Sequence, residues 1–423
     1  MRFLRNSLPS LGSVTIRAAA ALLMQKAVAL YFGPAGIALF AHFQNLTGLF
    51  IALPNDGVNR GLIKHAAPDE SKASFNTWFK AGLLWNFACW LIACLVLFVF
   101  RNSILREFSA NSDLRIWTAL FFCFEGLYLL HLYLMAIMLA RLEIKLQTGF
   151  NIAGSLLQLS LLYSALQFGS LEWVFIGVAA GQGLIAAGSF AWAFNQGFFK
   201  GVLAKSINLK PALKGIGRFV LLALVIAAFG RLVDFFVRQY AINHFQAYET
   251  GLWQSVVKLS DAYMTPVTAI IGTAFYPAAS NLINKPKELR AYLRETFRLV
   301  IPVSIFGLVL VYFLRVPLLV FLNDNRFAPA ASLTPFQLAG DFFKIISYFL
   351  ANILLVRSKL KTTVILEAVS AGLYLLVIAL LIPRMGTEGF VAAHFCKYIV
   401  YCSALVFIEI KNSDSYNDVT NLG

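Results

Sequence analysis

Several apolar stretches of this sequence carry charged and polar residues at spacings of three, four, seven and eleven. Those spacings put side chains on one face of a helix. Arg231, Asp234 and Arg238 make one stripe. Gln254, Lys258, Asp261 and Thr265 make a second, and Asp341, Lys344, Tyr348 and Asn352 a third. Glu367, Ser370 and Tyr374 follow, while Ser10, Ser13 and Arg17 lie near the N-terminus with Lys26 on the opposite face of the same segment. What the stripes offer is non-covalent chemistry: cations for an anionic group, and amides, hydroxyls and tyrosines for sugars. A charge at the bilayer centre costs about 2.5–3.5 kcal/mol, so five or six facing lipid would cost more than ~12 kcal/mol, comparable to the stability of a whole fold. They must face a lumen, a partner or a helix interface.

Two stripes admit a purely structural account. Lys258/Asp261 and Asp341/Lys344 are i,i+3 pairs that either line a lumen or neutralise each other and lock helices together. Arg231, Asp234 and Arg238 leave one excess cation, which favours a ligand role. Glu125, Asp234 and Glu367, and with them Asp261 and Asp341, are candidates for a coupling proton or sodium ion. Most acids here have a Lys or Arg close by as structural partner; Glu125 has no basic neighbour in its own apolar segment, which makes it the strongest proton candidate. Pro54 and Pro266, with Gly57 and Gly272 nearby, are candidate bending points, since proline removes a helical hydrogen bond. Lys80 sits near a helix end and snorkels, and Lys397 has no assigned role. His42, His65, His131, His244 and His394 are scattered and make no metal site. No P-loop, GxSxG or HExxH motif is present, so no nucleotide, metal or other cofactor is expected.

The elements that must carry these residues follow from composition. The chain is 59% hydrophobic and 13% charged, against about 25% charged in an ordinary soluble domain. Mean hydropathy is +0.74. About twenty apolar residues span a bilayer, and such windows lie near 10–32, 37–58, 77–100, 116–139, 146–167 and 173–195. A second set lies near 217–240, 250–275, 299–314, 332–356, 362–382 and 388–409. The ninth is short and could begin at the amphipathic stretch around Tyr292. Arg17 and Lys26 interrupt the first window, which reads as an uncleaved helix rather than a signal peptide. The five cysteines fall in apolar runs without metal spacing, and no disulfide is expected.

The net charge of +15 is a topology signal rather than a nucleic-acid patch. With the N-terminus inside, about 21 Lys/Arg lie on the cytoplasmic side, including Arg60, Lys64, Lys72, Lys200, Lys205 and Lys210, against about six outside. Arg101, Arg106 and Arg115 form the one external group that cuts against the rule. Both termini are therefore expected in the cytoplasm. The chain also repeats weakly with a period near 216: Gly36 corresponds to Gly251, Arg141-Leu-Glu-Ile-Lys to Arg357-Ser-Lys-Leu-Lys, and Gly169 to Gly386. The expected architecture is all-α, about twelve transmembrane helices in two six-helix lobes, 1–198 and 217–423, the second ending in a short cytoplasmic tail. The basic segment 199–216 is then a cytoplasmic linker.

Phe32-Gly33-Pro34-Ala35-Gly36, Gly251-Leu252-Trp253-Gln254, Ser260-Asp261-Ala262-Tyr263, Gly340-Asp341-Phe342-Phe343-Lys344, Arg357 and Glu367-Ala368-Val369-Ser370 together resemble Wzx-type flippases. The likeness runs in order along nearly the whole chain and is nearest the branch for O-antigen units or enterobacterial common antigen (lipid III). That branch belongs to the polysaccharide arm of the multidrug/oligosaccharidyl-lipid/polysaccharide exporter superfamily. The resemblance implies two lobes around a central V-shaped cavity in the bacterial inner membrane. It implies flipping of an undecaprenyl-diphosphate-linked oligosaccharide to the periplasmic leaflet. It also implies that Arg17, Lys26, Arg238 and Lys344 hold the diphosphate. Arg231 and Lys258 depart from the pattern and would suit this chain's own cargo. Membrane potential or a proton or sodium gradient would drive the step. Membrane lipids, and the polymerase and chain-length proteins of such a pathway, are the expected partners. The competing readings are a cation-coupled multidrug exporter, which would want a more acidic lumen, and a membrane enzyme of the same pathway, which would want a large external loop.

Overall fold

In lipid no water satisfies backbone N–H and C=O groups, so a spanning chain must satisfy them within helices. The computed structural model describes residues 2–65, 72–109, 113–199, 208–357 and 359–420, and these are helical nearly throughout, with no strand among them. Residues 200–207 of the expected 199–216 linker, with Lys200 and Lys205, lie outside the described residues.

The long helices are α1 (Arg2–Ala52), α2 (Lys72–Val99), α3 (Leu114–Ala140), α4 (Ile144–Leu166), α5 (Leu171–Leu184) and α6 (Lys210–Ala227). They continue as α7 (Val233–Ile270), α8 (Pro286–Leu322), α9 (Thr334–Val356), α10 (Leu360–Met385) and α11 (Glu388–Thr420). Ten stretches among the described residues are long and apolar enough to cross a membrane, and the chain is a multi-pass membrane protein. The two longest of the ten, Thr15–Ala52 with 38 residues and Lys210–Ile270 with 61, make about 57 Å and 90 Å of helix against a ~30 Å hydrocarbon core. Each contains one residue with non-helical backbone, Gly33 (φ 64, ψ −159) in the first and Gln246 (φ 67, ψ 161) in the second. Split at those kinks, the ten become the twelve crossings that hydropathy leads one to expect. The short ninth window is part of α8, which starts at Pro286 and takes in Tyr292.

The sequence repeat reappears in the backbone. After α3, Arg141 N donates to Ile137 O (2.9 Å), Glu143 N to Met138 O (2.8 Å) and Gln147 N to Glu143 O (3.1 Å). After α9, Arg357 N donates to Ile353 O (3.0 Å), Lys359 N to Leu354 O (2.9 Å) and Thr363 N to Lys359 O (3.1 Å). Glu143 and Lys359 share one conformation, φ −80 with ψ 52 and 53. The paired turn residues Gly169 and Gly386 both take left-handed φ, 68° and 57°.

The chain forms two compact units, one of residues up to Phe32 with Leu39–Phe235, the other of Gly33–Ala38 with Phe236–Gly423. The division differs from the repeat because α6 packs into the first unit. Trp85 Nε1 donates to Leu213 O at 2.9 Å, and a Cβ on Gly57 would lie 2.7 Å from Val220 Cα. Val58, Phe79, Tyr133, Ile137, Phe198 and Ile216 form the core around them. The second unit is built on Met264, Phe275, Leu289, Leu338, Phe349 and Ile353. Within it Gly251 lies so close to the Pro34 carbonyl that any side chain there would strike it, so two of the motif segments quoted above meet directly.

Candidate functional site

In the second unit polar side chains from three helices converge on Asp341, which is fully buried. Ser260 Oγ donates to its Oδ2 at 2.6 Å, and the Tyr263 hydroxyl donates to the same oxygen. Gln337 Nε2 lies 3.2 Å from Oδ1 and His394 Nε2 2.9 Å from it. Four side chains thus tie α7, α9 and α11 to one carboxylate. Gly340 permits this, since a Cβ there would run into the His394 imidazole. Asp341 was expected either on a lumen face or paired with Lys344. It is enclosed and hydrogen-bonded to His394, and Lys344 remains within electrostatic reach of it.

Lys344 is also set against aromatic rings. Its Nζ lies 5.9 Å from the Tyr348 ring and 5.8 Å from Tyr398. Lys397 Nζ lies 5.1 Å from the Tyr374 ring and 5.2 Å from Tyr398. Two ammonium groups from α9 and α11 therefore flank one tyrosine, each held near aromatic faces. Beside them the Tyr401 hydroxyl donates to Glu367 Oε1 at 2.7 Å, so this coupling-ion candidate is hydrogen-bonded. Lys258 is half-buried, within electrostatic reach of Asp261 and Arg238, while Asp261 is exposed. Chemically the arrangement offers two neighbouring cations with phenols and amides close by, groups that can hold an anion with polar substituents.

The first unit disposes of its charges differently. Arg231 Nη1 donates to Gly48 O at 2.6 Å, and Nη2 meets Asp56 Oδ2 at 3.5 Å. Asp56 sits in a π-helical turn, Leu53–Val58, that opens around Pro54. Asp234 is exposed, and Arg238, in the second unit, is half-buried. Arg17 is exposed and Lys26 half-buried. Pro266, in the second unit, is exposed and precedes another π-helical turn, Ile271–Phe275, which contains Gly272. Such turns are places where helices bend. Glu125 is fully buried in α3.

His394, Lys397, Ser260, Tyr263, Gln337 and Tyr398 are the residues that sequence reasoning did not assign to a site. A signal was present: His394, Lys397 and Tyr401 stand at i, i+3 and i+7 on one face of α11. Among the described residues no group of His, Cys, Asp and Glu side chains is placed to hold a metal ion.

No protein-family profile matches the chain. Over 423 residues it is 26% identical to the lipid III flippase of Escherichia coli (strain K12), covering 95% of this chain and 97% of that protein; the lipid III flippase of Shigella flexneri gives the same values. Among solved structures it resembles an inward-facing multidrug resistance MATE family transporter of the MOP superfamily. That match has a TM-score of 0.76 and 10% identity over 96% of both chains. It also resembles the lipid II flippase MurJ in an inward closed conformation, with a TM-score of 0.68 and 14% identity over 96% of this chain and 87% of that one. At these identities the structural likeness shows a shared fold.

Proposed function

We propose that this protein is a transporter that flips a lipid-linked oligosaccharide, an undecaprenyl-diphosphate-bound repeat unit of the common-antigen or O-antigen kind, across the bacterial inner membrane. The observation that carries this is the end-to-end likeness to lipid III flippases. The chain is not read as an enzyme: the described polar clusters hold cations, phenols and amides without a nucleophile and base. Lys344 and Lys397 bind the diphosphate through charge-assisted hydrogen bonds, and Tyr348, Tyr374 and Tyr398 present phenols and ring faces to the sugars. Arg238 and Lys258 supply further positive charge in the same unit. Transport proceeds by alternating access, with the π-helical turns beside Pro54 and Pro266 as bending points. The Lys/Arg distribution supports cytoplasmic termini. A diphosphate of charge about −2 leaving a negative-inside cell gains about 4–5 kcal/mol per 100 mV, so the potential drives export.

The test is leaflet transfer of a fluorescent prenyl-diphosphate oligosaccharide in proteoliposomes, with Lys344→Met and Lys397→Met. Each charge-assisted contact is worth about 1.5–3 kcal/mol, so each variant should lower transfer about tenfold or more. Unchanged transfer in both would remove the lysines from the site. Export of small organic cations in place of any prenyl-diphosphate would move the protein to the multidrug-exporter reading.

A further inference from the structure

Glu125 is the twelfth residue of the 27-residue α3, about 16 Å along a helix that crosses the membrane, and so near its midpoint. It has no solvent exposure, and neither carboxylate oxygen has a hydrogen-bond partner. Of the buried donors on α3 and the neighbouring α2, Trp117 Nε1, Thr118 Oγ1 and Asn86 Nδ2 have no hydrogen-bond partner and so do not donate to Glu125, and others are engaged elsewhere. Trp90, whose ring occupies the space beside Gly126, gives its N–H to Phe122 O at 3.3 Å. His131 Nδ1 is bonded with Ser189 at 3.1 Å, and the Tyr133 hydroxyl donates to Phe79 O at 2.6 Å. Phe121 and Phe122 pack on Phe50. Among the described side chains, the charged or titratable groups on elements around α3 include Arg17 and His42 on α1, Asp56, Lys80 on α2, Lys145 on α4 and Glu172 on α5. None of them donates to Glu125. On α3 itself Tyr128, one turn further on, lies within electrostatic reach of both Glu125 and Arg17, which is exposed.

An ionised carboxylate in lipid with neither a donor nor a cation against it is among the costliest arrangements a protein can make, and such groups take up a proton instead. A structural acid would have acquired a partner, as Asp341 has done with four and Glu367 with one. A carboxyl kept without one is suited to a group that must lose its proton in another state of the cycle. We propose that Glu125 is the coupling-proton site of the transporter: protonated and enclosed in the state described here, and opened to water to release its proton inward in exchange for outward passage of the lipid-linked anion. This rests on the flippase reading above for its cargo, though not for the proton itself.

The experiment therefore has two readouts on the full-length protein in lipid. The first needs no cargo: infrared spectra at neutral pH should show a protonated-carboxyl band in the wild type that is lost in Glu125→Gln. Absence of the band, or its persistence in E125Q, overturns the proposal. The second is transfer of the fluorescent prenyl-diphosphate probe under an imposed pH gradient. One proton per cycle makes the steady-state ratio across the membrane change up to about tenfold per pH unit. E125Q should lose that dependence, and Glu125→Asp should restore it. A wild type that transfers the probe with no response to the gradient, or an E125Q that keeps the full response, also overturns it. If the wild type moves no prenyl-diphosphate at all while the infrared band behaves as expected, the cargo is wrong and the protonated Glu125 stands.

Discussion

Replacing Asp341 with alanine removes the acceptor on which Ser260, Tyr263, Gln337 and His394 converge. Each buried donor left unsatisfied costs about 1–3 kcal/mol. Not all four are lost in full. Gln337 and His394 already lie 3.3 Å apart and can bond each other, and Ser260 can turn to a carbonyl on its own helix. Two donors remain stranded, and the expected loss is about 3–5 kcal/mol. Asp341→Asn keeps one oxygen for Ser260 and Tyr263 and sets an amide against His394, which can accept through its other tautomer. That variant should lose only about 1–2 kcal/mol. Denaturant or thermal unfolding in detergent, read by exposure of the buried Cys402 thiol, measures both. A double-mutant cycle with His394→Ala should give a coupling of at least about 1 kcal/mol. A D341A loss below about 1 kcal/mol, or equal losses in D341A and D341N, would refute the reasoning that this carboxylate clamps three helices. D341A should also slow prenyl-diphosphate transfer, because Lys344 and Lys397 are positioned by the two helices it ties.

Gly251→Ala drives a methyl group into the Pro34 carbonyl, and since backbone cannot move aside as a side chain does, it should lower stability by about 1–3 kcal/mol or prevent folding; an unchanged melting temperature would show that this approach is looser than drawn. Gln246→Gly goes the other way. The residue sits at φ 67, ψ 161, a region that costs a non-glycine residue about 1–3 kcal/mol, so relief of that strain should outweigh the added chain entropy and raise stability by about 1 kcal/mol. A lower melting temperature for Q246G would count against strain at this kink.

Much of the architecture was legible without coordinates, because the bilayer imposes it. Windows of about twenty apolar residues mark crossings whatever they pack against. The 216-residue repeat was visible at Arg141/Arg357 and Gly169/Gly386 because identical turns require the same backbone at both places. Gly33 showed its break in the sequence, as glycine beside proline does. Gln246 did not, because a non-glycine residue is held at such a φ only by its surroundings.

The functional chemistry divides along the same line. Helical periodicity put charges and tyrosines on shared faces, which was enough to expect an anionic cargo and to name Lys344 and Arg238 as residues of interest, while Glu125 stood out by having no basic neighbour in its segment. Periodicity describes one helix at a time, so it could not say which faces meet. That Asp341 is hydrogen-bonded by Ser260, Tyr263 and His394, and that Lys397 and Lys344 both come near the Tyr398 ring, depends on α7, α9 and α11 lying side by side. The same holds for Arg231, whose contacts with Gly48 and Asp56 come from a distant segment. Amino-acid order determined the crossings, the repeat and the presence of membrane-embedded charge, since each depends only on transfer from water to lipid and on local backbone geometry. The partner of each charge was decided by packing between distant segments, because an interaction worth a few kcal/mol in low dielectric falls to whichever group the fold brings within hydrogen-bonding distance.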